Sequence, residues 1–143
     1  MVGSLRRVAG DASHLAELLG IEIVDPGPDP ALARLPVTPG VCQPYGIVHG
    51  GTFASLAETI CSMATHEAVK DDGMLALGMS NQATFLRPIS KGTVHAEARP
   101  RHRGRTTWVW EVEITDDDDR LCALVRMTIA VRPLPPELRE QAG

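Results

Sequence analysis

The period of the apolar residues changes once, near Asp71-Asp72-Gly73, and that change constrains the fold more than any other feature of the chain. Before it, Phe53, Leu56, Ala57, Ile60, Ala64 and Ala68 recur at helical spacing. They predict one amphipathic helix over 51–69, about 28 Å long. After it, the apolar residues alternate: Leu75, Leu77, Met79, Ala83 and Phe85; Val94, Ala96 and Ala98; Trp108, Trp110, Val112 and Ile114; then Leu121, Ala123, Val125, Met127, Ile129 and Val131. Alternation predicts four half-buried strands. The turns between them, 88–92, 103–105 and 116–119, are short, which predicts an antiparallel meander. One face of such a sheet must be buried, and the 51–69 helix is the only element large enough to cover it. The expected class is α+β.

The first third is less regular. Residues 11–19 predict a short amphipathic helix with Leu15, Leu18 and Leu19 on one face and Gly20 as its stop. Short strands are expected at 21–24 and 31–37, separated by the proline-rich loop 26–30. Residues 133–143 form a proline-rich, charged tail with little expected structure. A length of 143 residues fits a single domain over 1–143, with about ten peripheral residues at each end. The net charge of −4 argues against a nucleic-acid partner. No apolar run is long enough to span a bilayer, and 1–7 lacks the following apolar stretch of a signal peptide. Cys42, Cys61 and Cys122 form no close pair, which fits reduced thiols in the cytoplasm.

The chemistry concentrates in Gln43 and the run from His49 to His66. His49-Gly50-Gly51 opens the helix. A helix start carries unpaired N–H groups and partial positive charge, and two glycines let a ligand approach the backbone. A carbonyl held there is polarised, and a developing oxyanion is stabilised more than the ground state. The polar side of the helix carries Ser55, Glu58, Ser62 and His66, with no Lys or Arg before Lys70. A glutamate in a half-buried groove of this kind suits a base or a nucleophile working near neutral pH. The plainer alternatives are a tight turn with close packing at His-Gly-Gly and a solvated Glu58.

Gln43, His49-Gly50-Gly51, Glu58 and Ser62, with Ser80-Asn81-Gln82, Phe85-Leu86-Arg87-Pro88 and Gly92-Thr93-Val94, resemble the acyl-CoA thioesterases of the hotdog fold. The similarity runs over about 37–131 and is greatest to the branch of the phenylacetate-pathway and 4-hydroxybenzoyl-CoA thioesterases with a helix glutamate. It implies a five- to six-stranded antiparallel sheet wrapped around the long helix. It also implies a homodimer or homotetramer, a dimer of dimers, with active sites at the dimer interface. Carried over, the Gly50 amide holds the thioester carbonyl and Gln43 assists at the carbonyl or the water. Glu58 acts from the partner subunit as nucleophile or general base. Ser62 stands where a hydroxyl holds the water, in place of the threonine that branch can carry. His49 shapes the turn.

Gly51 and Asn81 join the substrate-binding candidates, Asn81 because it interrupts an apolar strand face and needs hydrogen-bond partners. Arg101, His102, Arg103 and Arg105 surround the turn tip at Gly104, followed by Thr106. In similar proteins this turn lies near the nucleotide or pantetheine arm, so Arg103, Arg105 and Thr106 are candidates for the CoA phosphates. CoA belongs to the substrate, and no separate cofactor or metal is expected.

Rival chemistries fit less well. Ser62 and His66 lack a nucleophile elbow and an orienting acid. The His and Cys residues lack zinc spacing, and 116–119 lacks the alternating ligands of a calcium loop. Trp108 and Trp110 read as core or interface. A hotdog dehydratase or hydratase calls for an Asp/His pair at the helix start, and no acidic residue stands four or five positions before His49. A non-catalytic acyl-CoA sensor is the alternative function, although a sensor ordinarily carries an output domain and Glu58 argues for chemistry. Acyl-pocket depth is expected to depend on Phe53, Leu56, Met63, Met79 and Phe85.

Overall fold

The computed structural model describes residues 14–139. In chain order the elements are α1 (Leu15–Leu19), β1 (Glu22–Asp25), β2 (Ala31–Pro36), α2 (Gly50–Val69), β3 (Met74–Phe85), β4 (Thr93–Arg103), β5 (Thr107–Thr115), β6 (Leu121–Pro133) and α3 (Pro136–Arg139), with single 3₁₀ turns at Pro39–Val41 and Lys70–Asp72. All six strands join one antiparallel sheet in the order β1-β2-β4-β5-β6-β3. The sheet curls around α2, as the hotdog resemblance implies. Among the described residues no helix is long and apolar enough to cross a membrane.

The core forms where the helix stripe meets the inward face of the sheet. Phe53, Leu56, Ala57, Ile60 and Ala64 are buried against Val94, Ala96, Ala98, Trp110, Val112, Ile114, Val125, Met127 and Ile129. Ala68 departs from the expected stripe and is exposed, while Val69 is buried in the last turn. The helix then gives way to a 3₁₀ turn closed by Gly73 at φ 71°, a conformation that suits glycine. One buried polar link ties helix to sheet. Trp110 Nε1 donates to Thr65 Oγ1 at 2.8 Å, and that hydroxyl donates to the Cys61 carbonyl at 2.7 Å.

Three expectations need correction. The sheet is not a simple meander, because β3 pairs with β6 and not with β4. The short 86–92 connection crosses the end of the sheet: Leu86 and Arg87 N–H donate to the Cys122 carbonyl, Val48 N–H donates to the Ile89 carbonyl and Val37 N–H to that of Gly92. Ile89 is buried on the way, so burial routes a connection whose length suggests a hairpin.

Nor does β3 present one continuous alternating face. Its pairing with β6 runs Leu77↔Ala130, Gly78↔Ile129, then Ser80↔Thr128, so Met79 is bulged out of register. The bulge reverses the phase. Ala76 and Gly78 face the helix before it, and Asn81, Ala83 and Phe85 after it, opposite the buried Val131, Ile129, Met127, Val125 and Ala123. Leu77, Met79 and Phe85 are more than half exposed.

The third correction concerns the ends. The first helix is seen from Leu15, and 11–13 lie outside the described residues. Only Leu19 of its three leucines packs on the core, while Leu15 and Leu18 are exposed. The tail contains the helical turn α3, with Leu134 N–H bonded to the Gly73 carbonyl at 2.9 Å; 140–143 lie outside the described residues.

Candidate active site

His49 is the N-cap of α2. Its φ of −64° and ψ of 134° turn the chain into the helix, and its Nδ1 accepts from Gly51 N–H at 2.8 Å. Its carbonyl accepts from Thr52 N–H at 2.8 Å and its own N–H donates to the Val41 carbonyl at 2.9 Å. The Gly51 amide is therefore committed within the chain. Gly50, at the first helical position, has no intrahelical acceptor for its N–H, and no other acceptor meets it among the described residues.

Neither glycine leaves space for a side chain unless a neighbouring ring shifts. A Cβ on Gly51 would lie 2.9 Å from His49 Nδ1, and one on Gly50 would lie 2.8 Å from the ring of Phe85. Phe85 covers the helix start and meets Phe53 with ring centroids 6.1 Å apart.

Gln43 lies just before this turn. Its N–H donates to the Ile47 carbonyl at 2.7 Å and its carbonyl accepts from Gly46 N–H at 2.9 Å. Its half-buried side chain lines a hollow with Val37, Thr38, Cys42 and Ser90. Glu58 is elsewhere. It lines a groove of about 330 Å³ with Leu15, Ala54, Ser55, Thr59, Ser62 and Asn81. Thr59 Oγ1 is bonded to the Ser55 carbonyl at 2.7 Å, whereas the Ser55 and Ser62 hydroxyls line the groove without taking part in that bond.

Glu58 is exposed in the isolated chain, not half-buried as expected, because β3 is an edge strand with nothing beyond it. Asn81, expected to be buried, is exposed as well, and its Nδ2 donates to the Ala54 carbonyl at 2.9 Å and to Glu58 Oε1 at 3.3 Å. The expected acyl-pocket residues Phe53, Leu56 and Met63 belong to the closed core instead. Beneath Glu58, burial and then the negative charge of Glu58 push the Cys61 thiol far above its ordinary range, so Cys61 stays protonated and inert.

The structure thus separates the expected site into two halves. Gln43, His49 and Gly50 form one, and Glu58, Ser62 and Asn81 the other. Eight residues of helix part Gly50 from Glu58, about 12 Å along the axis, whereas reacting groups must approach to about 3–3.5 Å.

The arginine turn is largely engaged within the chain. Arg103 pairs with Asp29 at 3.4 Å and lies 5.7 Å over the Trp108 ring, and Arg101 is 3.6 Å from Glu111. The Thr106 carbonyl accepts from Val131 N–H at 2.9 Å and from Arg132 Nη1 at 2.7 Å. Arg105 is exposed. In register, Thr107 pairs with Ala130, which pairs with Leu77, so the turn is level with the bulge of β3.

Sequence reasoning missed Gly78, which underlies Glu58: a Cβ there would be 3.4 Å from Glu58 Cδ and Oε2. Its signal was available, since a lone glycine within an apolar strand marks a bulge or a close approach.

Comparison with known proteins gives this arrangement its family. The model of the Thioesterase superfamily matches residues 45–123, from two residues past Gln43 to within β6. The chain belongs to the thioesterase superfamily. It is accordingly a thioester hydrolase. A putative esterase of Mycobacterium tuberculosis is 42% identical over 107 residues, covering 73% of this chain and 76% of the relative. A 1,4-dihydroxy-2-naphthoyl-CoA hydrolase of Listeria monocytogenes is 38% identical over 118 residues, covering 82% and 95%. A Staphylococcus aureus thioesterase, solved with a glutamate-to-alanine and with a glutamine-to-alanine substitution, superposes with a TM-score of 0.81 in both forms. The identities are 33% and 31%, over 85% of this chain and 100% of that one. The two substituted residues stand fifteen positions apart there, the spacing of Gln43 and Glu58 here.

Proposed function

We propose that this thioesterase hydrolyses acyl-CoA, and that two copies of the chain complete each active site. One copy supplies the helix start: the Gly50 amide receives the carbonyl oxygen, Gln43 assists at the carbonyl or the water, and His49 holds the turn. The other supplies Glu58, with Ser62 beside it to hold water. In the general-base route Glu58 takes a proton from water as the water oxygen bonds to the carbonyl carbon. The oxyanion develops against Gly50 N–H; its collapse breaks the C–S bond, and the CoA thiolate takes the proton from Glu58. In the nucleophilic route the Glu58 carboxylate attacks, CoA thiolate leaves from a mixed anhydride, and water then cleaves the anhydride to restore Glu58. Arg105, near the level of the site, is a candidate contact for the CoA phosphates.

The observation that carries the reading is the Gly50 amide at a capped helix start, with Glu58 the only carboxylate in the first four turns of α2. Two further facts support it. The edge of β3 is twelve residues long with Leu77 and Met79 exposed, a surface suited to pairing with a second copy. A relative is named as a hydrolase of an aromatic acyl-CoA.

Thiol release from benzoyl-, hydroxybenzoyl-, phenylacetyl-, hexanoyl- and palmitoyl-CoA, wild type beside Glu58→Ala, tests it. Release lost in a folded Glu58→Ala protein is expected. Undiminished release by that variant removes Glu58 from the mechanism, and tight binding without release by the wild type moves the reading to an acyl-CoA sensor.

A further inference from the structure

The bulge in β3 does more than interrupt the sheet. By displacing Met79 from the β6 register it puts Gly78 and Asn81, three residues apart, on the same face of the strand, against α2. Both then meet Glu58. Gly78 lies beneath the carboxylate, where a Cβ would sit in ordinary van der Waals contact with Cδ and Oε2 at 3.4 Å. Asn81 reaches the other oxygen, with Nδ2 3.3 Å from Oε1 and 2.9 Å from the Ala54 carbonyl.

Ala54 is four residues before Glu58, so its carbonyl is also the helical acceptor for the Glu58 N–H. One amide group therefore grips both the side chain of Glu58 and the carbonyl that anchors its backbone. Both neighbours are acceptors only, which fixes the amide orientation: Nδ2 faces the helix and Oδ1 is turned away. Without Asn81 a glutamate on an exposed helix face has three rotatable bonds and no fixed position.

We propose that Asn81 is a positioning residue for Glu58, and that the Met79 bulge exists to bring Asn81 and Gly78 together beneath that carboxylate. The inference rests on the proposed role of Glu58, but the grip itself is a structural claim that stands or falls separately. Asn81 donates to Oε1 and leaves Oε2 as the oxygen free to meet water or substrate. Asn81 acts through Glu58 and within one chain, whichever copy supplies the helix start.

The test uses the full chain with Asn81→Leu, and Asn81→Ser should the leucine variant fail to fold. With an acyl-CoA that the wild type turns over, kcat is expected to fall about ten- to hundredfold, the scale of a lost hydrogen bond to a charged group, with KM changed less than about threefold. On a Glu58→Asp background, whose carboxylate is one methylene too short to reach Asn81, the same substitution should change the residual kcat less than about twofold. Crystal structures of wild type and variant should show Glu58 in one conformer in the first and displaced or spread over several in the second. An equal fractional loss of kcat in both backgrounds, a rise in KM alone, or Glu58 unmoved in the variant overturns the proposal. If the wild type turns over no acyl-CoA, the thioesterase assignment of this site fails on its own, and the crystallographic comparison still decides whether Asn81 positions Glu58.

Discussion

The 12 Å between Gly50 and Glu58 leads to a subunit-complementation prediction. Two chains are each broken in one half of the site. The first carries Glu58→Ala. The second carries Gly50→Pro with Phe85→Ala. Proline suits the first helical position, and His49 at φ −64°, ψ 134° already has the conformation a residue before proline needs, so the substitution removes the amide hydrogen and keeps the turn. Phe85→Ala clears the ring that would otherwise meet the new side chain at 2.8 Å. Loss of one oxyanion donor costs about a hundred- to thousandfold in kcat, so each homodimer is nearly inactive. After random exchange at equal concentration roughly half of the dimers are mixed. In each mixed dimer one of the two sites joins an intact Gly50 to an intact Glu58. The mixture should recover about a quarter of wild-type activity in the thiol-release assay, and mixed dimers isolated with two different affinity tags about half. Mixed dimers that stay as inactive as their parents refute the two-chain site and require both groups to act within one chain.

Two stability predictions follow from the same structure. Thr65→Val keeps the shape of the side chain but leaves the buried Trp110 N–H without its 2.8 Å acceptor. The expected cost is about 1–3 kcal/mol, a fall in Tm of about 3–10 °C for a chain of this size, and calorimetry should find that cost reduced on a Trp110→Phe background, where no N–H remains to orphan. Asp117 is held below the usual carboxylate range by its hydrogen bond with His95 and then by Thr93 N–H. Its stabilisation is present above the unfolded carboxylate value of about 3.9 and is lost as pH falls through the lower folded value. The Tm gap between wild type and Asp117→Asn should therefore close in strong acid; a gap that persists there would show that the ionised carboxylate is not its source.

Helix α2 and strands β4, β5 and β6 were legible because each announces itself through a local period that packing did not have to alter. About three turns of apolar residues from Phe53 to Ala64 meet the sheet as their spacing requires, and Trp108 to Ile114 alternate without interruption. Gln43, His49-Gly50-Gly51 and Glu58 stood out as candidates because they lie in one continuous stretch of sequence. Strand β3 was not. Its bulge at Met79 depends on what β6 and α2 present to it, and a single displaced residue exchanges the two faces of everything that follows.

Its position beyond β6 depends on burying Ile89 across the end of the sheet, a contact no local pattern encodes. The sequence alone therefore determined the elements, the helix start and the carboxylate. Only the tertiary structure decided that Asn81 and Gly78 of β3 lie against Glu58 and that this carboxylate sits exposed beside an open edge of the sheet. Those outcomes turn on distances between groups, and spacing along a chain fixes such distances within a helix but not between a helix and the strand that folds against it.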